Sequence, residues 1–324
     1  MNSTPYAALD APIEDPRGVL MALTVVKGTF RFDGTPADHR MPVRWADVFW
    51  EPDAPQGSSI RWPSDLALAK HGSDVVVVGE ARSPRPTKRV DVVVRAGQRR
   101  VHLRVHGERM YYRGAGGRVV VGEGAAFVQK PIVYERAYGG ISADALLSEP
   151  RNPIGRGMAA TEDELVDTPA PQVELADEPI TSAGDRPAPV GLGAIAANWQ
   201  PRAGFGGTFD ERWQKERMPL MPEDFDPRFN NAAHPLLQLA EPLAPGLSFG
   251  VDGMSLDGPI AAQVPDLGVT VTGLFDDGSV RPEPLVLDTL VIDTEGARFA
   301  VSGRVAFPVG RGPGRLRAIR VEHG

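Results

Sequence analysis

The sequence contains no cysteine, which excludes disulfides, cysteine-ligated zinc, iron–sulfur clusters and thiol nucleophiles. This absence favours a reducing compartment. The first residues, 1–6, also lack the basic residue and apolar run of a secretory signal. Apolar runs such as 75–78 and 119–121 are far shorter than the roughly 20 residues that span a bilayer. We therefore expect a cytoplasmic protein without membrane insertion.

Sequence signatures of catalysis are lacking too. There is no Gly-x-Ser-x-Gly nucleophile motif, and the glycine-rich runs 114–117 and 204–207 lack the Lys-Ser/Thr of a phosphate-binding loop. Of six histidines only His102 and His106 are close in sequence. On a strand they lie roughly 13 Å apart, too far to share a metal. We expect no enzyme, no metal site and no cofactor.

One acidic cluster keeps an enzymatic alternative open. Glu223, Asp224 and Asp226 are able in principle to ligate calcium or to form an acid–base pair. The flanking Pro222 and Pro227 favour turn or helix-capping roles for the two aspartates. A hydrolase that uses His102 or the Asp224/Asp226 pair is therefore the third hypothesis, and it requires these groups to line one pocket with a perturbed pKa.

The charge balance argues against nucleic acid as a partner. Lys and Arg number 35 against 42 Asp and Glu, a net charge of -7 that repels a polyanion. The segment Arg82–Arg104 is rich in basic residues, but they alternate with valines, which predicts a solvated sheet face. In Arg99–His106 the residues predicted to face outward are Arg100, His102, Arg104 and His106.

The composition predicts a mainly β fold. The chain has 36 Gly and 31 Pro with an ordinary apolar fraction, which indicates many turns between short strands. The predicted strands are Leu20–Phe32, Asp74–Ala81, Arg89–Arg95, Arg99–Val105, Arg118–Val121, Gly268–Phe275, Leu285–Asp293 and Ala297–Val305. Short helices are expected only near Glu162–Val166, Glu211–Glu216 and Asp226–Asn231. These elements favour antiparallel sheets in a sandwich or barrel-like arrangement, with an irregular Pro/Gly/Trp-rich region.

Composition also divides the chain into four parts. Residues 1–160 and 246–324 are β-rich. Residues 161–186 carry eight carboxylates and one basic residue, which predicts a solvated excursion or mobile linker. Residues 187–245 form a Trp/Gly/Pro block. The pattern leaves open whether these parts make one domain or two.

Five aromatic residues stand within 27 positions of this block: Trp199, Phe205, Phe209, Trp213 and Phe225. Aromatic side chains at this density form either a local core or a docking surface. Nearby prolines restrict the intervening backbone. The residues alone do not separate the two interpretations.

Ordered motifs throughout the chain carry a resemblance. They are Val25–Phe30, Ser64–Leu66 with Lys70, Ser73–Val75, Val78–Ala81 with Pro84, Gly107–Arg109, Pro131–Gly140, Asn152–Gly157, Trp199–Arg202, Gly207–Asp210, Trp213, Arg217–Pro219, Pro222–Asp226 and Phe229–Asn230. Their order resembles a domain-of-unknown-function family encoded beside type VI secretion spike and effector genes. The run Ala232–Leu236 departs from that family, which usually has an acidic Asp-Gln pair there.

The resemblance implies a non-enzymatic adaptor or chaperone. Such a protein is expected to stabilise a type VI effector, often one linked to a PAAR-type spike tip, or to load it onto the VgrG spike. The residues expected to serve as partner-binding or scaffold positions are Glu135, Arg136, Trp199, Arg202, Asp210, Trp213, Arg217, Asp224 and Asp226. The alternative is a carbohydrate- or envelope-binding β-module, which requires an exposed Trp199 or Trp213.

Overall fold

Strands dominate the computed structural model, which describes residues 1–310 and 314–324. They make up 41% of the structure against 8% for helices, so the mainly β prediction is confirmed. Each of the eight predicted strand segments overlaps a strand of the structure. This agreement follows from their β-branched, alternating sequences, which need one buried face.

The strands of the first part of the chain are β1 (Ala7–Glu14), β2 (Leu20–Arg31), β3 (Val48–Phe49), β4 (Ile60–Trp62), β5 (Ser73–Val78), β6 (Glu80–Thr87), β7 (Arg89–Ala96), β8 (Arg99–His106), β9 (Tyr111–Arg113), β10 (Val119–Val121) and β11 (Phe127–Pro131). The later strands are β12 (Tyr138–Gly139), β13 (Arg156–Gly157), β14 (Val173–Leu175), β15 (Gln238–Leu239), β16 (Ser248–Asp252), β17 (Ile260–Gln263), β18 (Val269–Phe275), β19 (Val280–Pro284), β20 (Val286–Asp293), β21 (Arg298–Pro308) and β22 (Leu316–His323).

Helices are short, as predicted. The α-helix α1 spans Glu211–Glu216. The 3-10 turns are Pro55–Gly57, Tyr134–Arg136, Glu162–Leu165, Arg202–Phe205, Pro227–Asn230 and Pro235–Leu237. In the described ranges no helix combines the length and apolarity needed to cross a bilayer.

Two large sheets form the centre of the protein. The first has the order β1-β2-β21-β20-β5-β15, antiparallel except for the parallel pair β20 and β5, and the second has the order β14-β8-β7-β16-β17. They share one core, in which Phe249 of β16 meets Phe299 of β21 with ring centroids 4.9 Å apart. No sheet in the described part closes on itself. Of the two predicted arrangements, the structure therefore has packed open sheets and not a barrel.

The first sheet joins distant parts of the chain. Strands β2 and β5, from the N-terminal β-rich part, pair with β21 and β20 from the C-terminal part. The β2–β21 ladder is the longest, running from Met21 opposite Pro308 to Arg31 opposite Arg298. The two β-rich parts of the sequence therefore share one continuous sheet.

The acidic stretch 161–186 is built into this body. Strand β14 lies within it and pairs with β8, and Gln172 and Glu174 are 0% and 2% exposed. The prediction of a solvated excursion or mobile linker is wrong for this central portion. The physical reason is that Glu174 has cationic and backbone partners, which a buried carboxylate requires.

Candidate functional site

The nine site residues predicted from the sequence fall into separate environments. Within the Trp/Gly/Pro block, the aromatic-rich segment 194–226 has two parts. We call residues 194–206 the inner half and residues 207–226 the outer half. Trp199 and Arg202 lie in the inner half, with Glu135 nearby, whereas Asp210, Trp213, Arg217 and Asp224 line an open cleft in the outer half. Asp226 is the last residue of the outer half, and Arg136 belongs to a separate charged cluster.

Trp199 anchors a small core in the inner half. It is 4% exposed and meets Tyr134 edge to face, with ring centroids 5.6 Å apart. The other buried members are Ile60, Ala194, Ile195, Ala196 and Ala232. Trp199 is therefore a packing residue, because residues far apart in sequence cover its ring.

Arg202 connects three segments of this region. Its Nε donates to the Phe229 carbonyl at 2.9 Å and its Nη1 to the Ile195 carbonyl at 2.6 Å. Burial lowers the pKa of the Arg202 guanidinium. Arg202 therefore braces the backbone through hydrogen bonds to carbonyl oxygens.

Glu135 and Arg136 are adjacent in sequence but serve different contacts. The Glu135 carboxylate accepts from the backbone N–H and from the hydroxyl of Ser59, both at 2.7 Å. Arg136 Nη1 donates to Glu108 at 2.9 Å, and Lys130 Nζ donates to the same carboxylate at 2.7 Å. Burial opposes ionisation of Glu108, but the hydrogen bonds from Lys130 and Arg136 outweigh it and lower its pKa to about 2.

A buried carboxylate attaches the segment that follows the outer half to the first sheet. Asp74 of β5 is 0% exposed and accepts from Asn231 Nδ2 at 3.1 Å and from the Ala232 N–H at 2.9 Å. It also pairs with Lys70 Nζ at 2.7 Å. Burial alone would raise the pKa of Asp74, but the charge and hydrogen bond of Lys70 lower it.

The same polar network continues into the sheet. Lys70 Nζ donates to Thr289 at 2.7 Å, and Arg304 pairs with the buried carboxylate of Asp288. Arg304 also donates to the Asp65 carbonyl at 2.9 Å, and Asp65 pairs with buried Lys27. Sequence reasoning missed these as site residues, although Lys27, Asp65, Lys70 and Asp74 stand in the quoted motifs. Charges inside or beside apolar strands were the available signal.

Hydrogen bonds within the outer half hold it in shape. Asp210 caps α1 by accepting from the Trp213 N–H at 2.8 Å. The Trp213 indole N–H donates to the Leu220 carbonyl at 2.8 Å, and Phe209 packs edge to face on its ring at 4.8 Å. Arg217 Nη2 donates to the Pro16 carbonyl at 2.7 Å, which attaches this half to the turn after β1.

The two aspartates at the end of the outer half act as turn and cap acceptors. Asp224 accepts from the Thr208 N–H at 2.9 Å and from its hydroxyl at 2.7 Å, and these bonds lower its pKa. Asp226 accepts from the side chain and N–H of Arg228, which lower its pKa in turn. Both carboxylates are thus held in the ionised form that capping requires.

The cleft of the outer half is open to solvent. Its volume is about 420 Å³. The exposed Phe209 packs against Trp213, one of its lining residues, and Met218 follows Arg217, another. These two apolar side chains are 56% and 58% exposed. The outer half therefore presents apolar surface on a fixed backbone.

A family model described as "uncharacterized protein conserved in bacteria (DUF2169)" matches residues 17–304. The chain belongs to this family. The match includes both halves of the block, Glu135 and Arg136, and the buried network from Lys27 to Arg304. No curated protein and no solved structure matched the chain.

The site chemistry of this family member is dominated by bracing contacts. His102 lies on β8 and contacts Asp91 at 3.0 Å, whereas Asp224 and Asp226 line a different cleft together with His71. The Asp224/Asp226 pair thus lines one cleft, as the hydrolase hypothesis requires of it, and hydrogen bonds lower the pKa of both carboxyls, so this hypothesis stays a prediction. Among residues 1–310 and 314–324 no group of three His, Asp or Glu is arranged to hold a metal. What the arrangement offers is a preorganised surface for binding.

Proposed function

We propose that this chain is a non-enzymatic adaptor or chaperone that binds a type VI secretion effector, in the cytoplasm, before the spike is fired. The effector is one linked to a PAAR-type tip, and the adaptor stabilises it or assists its loading onto the VgrG spike. The proposal draws on the order of the motifs from Val25 to Asn230.

The observation that carries the proposal is the exposure of Phe209 and Met218 beside a braced cleft. Aromatic side chains and Met are enriched at protein–protein interfaces, where a few anchors supply most of the binding energy. The backbone that presents them is held by Asp210, Arg217 and Asp224. A surface that is already ordered loses less entropy when it binds.

Co-purification tests this proposal directly. The tagged protein is isolated from cells with active secretion, and proteins encoded beside its gene are identified by mass spectrometry. We expect enrichment of an effector or a spike protein, lost with the double variant Phe209→Ser/Met218→Ser. The matched control is Leu256→Ser, because Leu256 is also 58% exposed but lines a different cleft. No enrichment with the wild-type protein would contradict the adaptor role.

A carbohydrate- or envelope-binding module is the second candidate. Burial of Trp199 removes one of its two proposed stacking platforms, but Trp213 still lines an open cleft, and Trp45 is 57% exposed. Peptidoglycan fragments would then change the tryptophan fluorescence, and Trp213→Phe would reduce the change. A fluorescence spectrum that is insensitive to fragments and glycans would contradict this second candidate.

A further inference from the structure

A second cleft, of about 740 Å³, lies away from the Trp/Gly/Pro block, at the end of the β7–β8 hairpin. The loops 121–124 and 179–181 form its other walls. Its basic lining residues are Lys88, Arg89, Arg104, His106 and Arg109, and its carboxylates are Glu123 and Glu174. Four permanent cations thus face two carboxylates in a chain whose net charge is -7.

Two of these cations are already paired within the protein. Arg109 is buried and donates to Glu174 Oε2 at 2.6 Å, and Lys88 pairs with Glu123 at the rim. His106 contacts the other oxygen of Glu174 at 2.8 Å. Both lining carboxylates therefore already have a basic partner within the protein.

Arg89 and Arg104 are the two lining arginines that pair with neither of these carboxylates. Arg89 is exposed at the start of β7 and makes no ion pair within the described residues. Arg104 Nε lies 3.7 Å from Asp91 Oδ1, so the two side chains form an ion pair, but this distance is beyond a hydrogen bond and Nε has no hydrogen-bond partner in the described part of the chain. Because the Arg104 side chain is 24% exposed and its ion pair with Asp91 lacks a hydrogen bond, its guanidinium is able to form a charge-assisted hydrogen bond with an incoming oxyanion.

The walls of this cleft are held in place. A Cβ on Gly107 would lie 1.7 Å from the Ala125 carbonyl oxygen, so the two backbones pack as closely as glycine allows. On the other side the Ile180 N–H donates to Glu174 Oε2 at 3.0 Å. The cationic groups are therefore positioned before any ligand arrives.

We propose that this basic cleft binds an acidic peptide segment of the partner protein, with Arg89 and Arg104 receiving its carboxylates. The proposal rests on the adaptor function and adds the chemistry of a second contact. Arg89 and Arg104 stand on the neighbouring strands β7 and β8, and a peptide places single carboxylates at intervals that suit two separate cations. The volume suits an extended ligand, since pockets for drug-sized molecules measure roughly 300–1,000 Å³.

Fluorescence anisotropy with a labelled hexaglutamate peptide tests the cleft. We expect the affinity for the peptide to fall with added salt. We also expect the Kd to rise about tenfold in Arg104→Gln and in Arg89→Gln, which corresponds to the loss of one charged contact worth about 1.4 kcal/mol. The matched control is Arg100→Gln, an exposed arginine on the same face of β8 outside the cleft. Thermal melting of each variant checks that it is folded. If Arg104→Gln does not fold, Arg89→Gln still tests the cleft, because Arg89 is exposed.

Three outcomes would overturn the cleft proposal. The first is no binding of hexaglutamate by the folded wild-type protein, and the second is an equal loss in Arg100→Gln. The third is competition by inorganic phosphate at low concentration while the peptide itself binds weakly, which would identify a small-anion site instead.

Co-purification separates this inference from the adaptor proposal. If the double variant Arg89→Gln/Arg104→Gln retains its effector or spike partner undiminished, the cleft inference fails and the adaptor role stands. If the wild-type protein retrieves no such partner, the adaptor role fails, whatever the peptide measurement shows. Reduced retrieval by the double variant, with normal melting, supports both.

Discussion

The two halves of the Trp/Gly/Pro block have similar residues and different environments. In the inner half Trp199 shares a core with Tyr134 and with Ile60 and Ala232, which come from distant parts of the sequence. In the outer half Trp213 is covered mainly by its own neighbours, and Phe209 beside it is 56% exposed. Aromatic density therefore does not distinguish core from surface, because remote segments decide which ring is covered.

The polar residues of the two halves differ in the same way. Arg202 binds carbonyls on segments that meet only in the folded chain, and it works beside the buried Asp74 network. Asp210 and Asp224 bind N–H groups within their own half. We infer that the inner half stabilises the whole fold, whereas the outer half stabilises mainly its own surface and is attached to the turn after β1 through Arg217.

The largest expected effect is on the inner half. Trp199→Ala removes a buried ring and leaves a cavity under Tyr134, so we expect the free energy of unfolding to fall by about 4 kcal/mol. Guanidinium chloride denaturation measures the loss. A loss no larger than that of Trp213→Ala would break the distinction between the halves.

The next effect concerns Arg202. Arg202→Ala leaves the carbonyls of Ile195 and Phe229 without their charged donor, and we expect a loss of about 2–3 kcal/mol. Arg202→Lys is the matched control, because it keeps the charge but not the planar fork. Full stability of the lysine variant would show that charge, and not bridging geometry, matters at this position.

A smaller effect is expected in the outer half. Trp213→Ala removes a half-buried ring and one indole hydrogen bond, so we expect a loss of about 1–2 kcal/mol. Trp213→Phe keeps most of the apolar area and separates the two contributions. An unchanged melting temperature together with lost partner binding would identify Trp213 as a contact residue only.

The smallest effect lies at the cluster around Arg136. Because the pKa of Glu108 falls to about 2 in the folded state, its ion pairs stabilise the protein above about pH 4.5, and this stabilisation is lost as the pH falls towards 2. Glu108→Gln should cost about 1 kcal/mol at pH 7, since solvent screens a side chain that is 57% exposed.

The difference between Glu108→Gln and the wild type should therefore shrink between pH 4.5 and 2. Urea denaturation across that range measures it, with Glu123→Gln as the exposed control. A gap that stays constant with pH would show that the Glu108 carboxylate is not the titrating group.

Local patterns predicted much of the fold. The alternating residues of β8 place Val101, Leu103 and Val105 inside and leave Arg104 and His106 on the outer face, as predicted. The helix α1 begins after Asp210, where a capping side chain precedes helix-forming residues. Both predictions succeeded because they depend on neighbours within a few positions.

The acidic stretch and the buried ion pairs were beyond such reasoning. Glu174 is an acidic residue in an acidic segment, and only its distant partners Arg109 and His106 make burial favourable. Lys27 and Asp65 are likewise 38 residues apart and meet only when β2 is in its sheet. A pattern read along the chain does not contain these pairings.

The sequence by itself determined eight strand segments, the short helix and the concentration of aromatic residues between 199 and 225. These follow from side-chain alternation, capping and composition, which are local properties. Only the tertiary structure decided that Trp199 is buried, that Phe209 is exposed and that Arg104 faces a basic cleft. Those outcomes depend on which remote segments cover each side chain, and burial is set by packing across the whole fold.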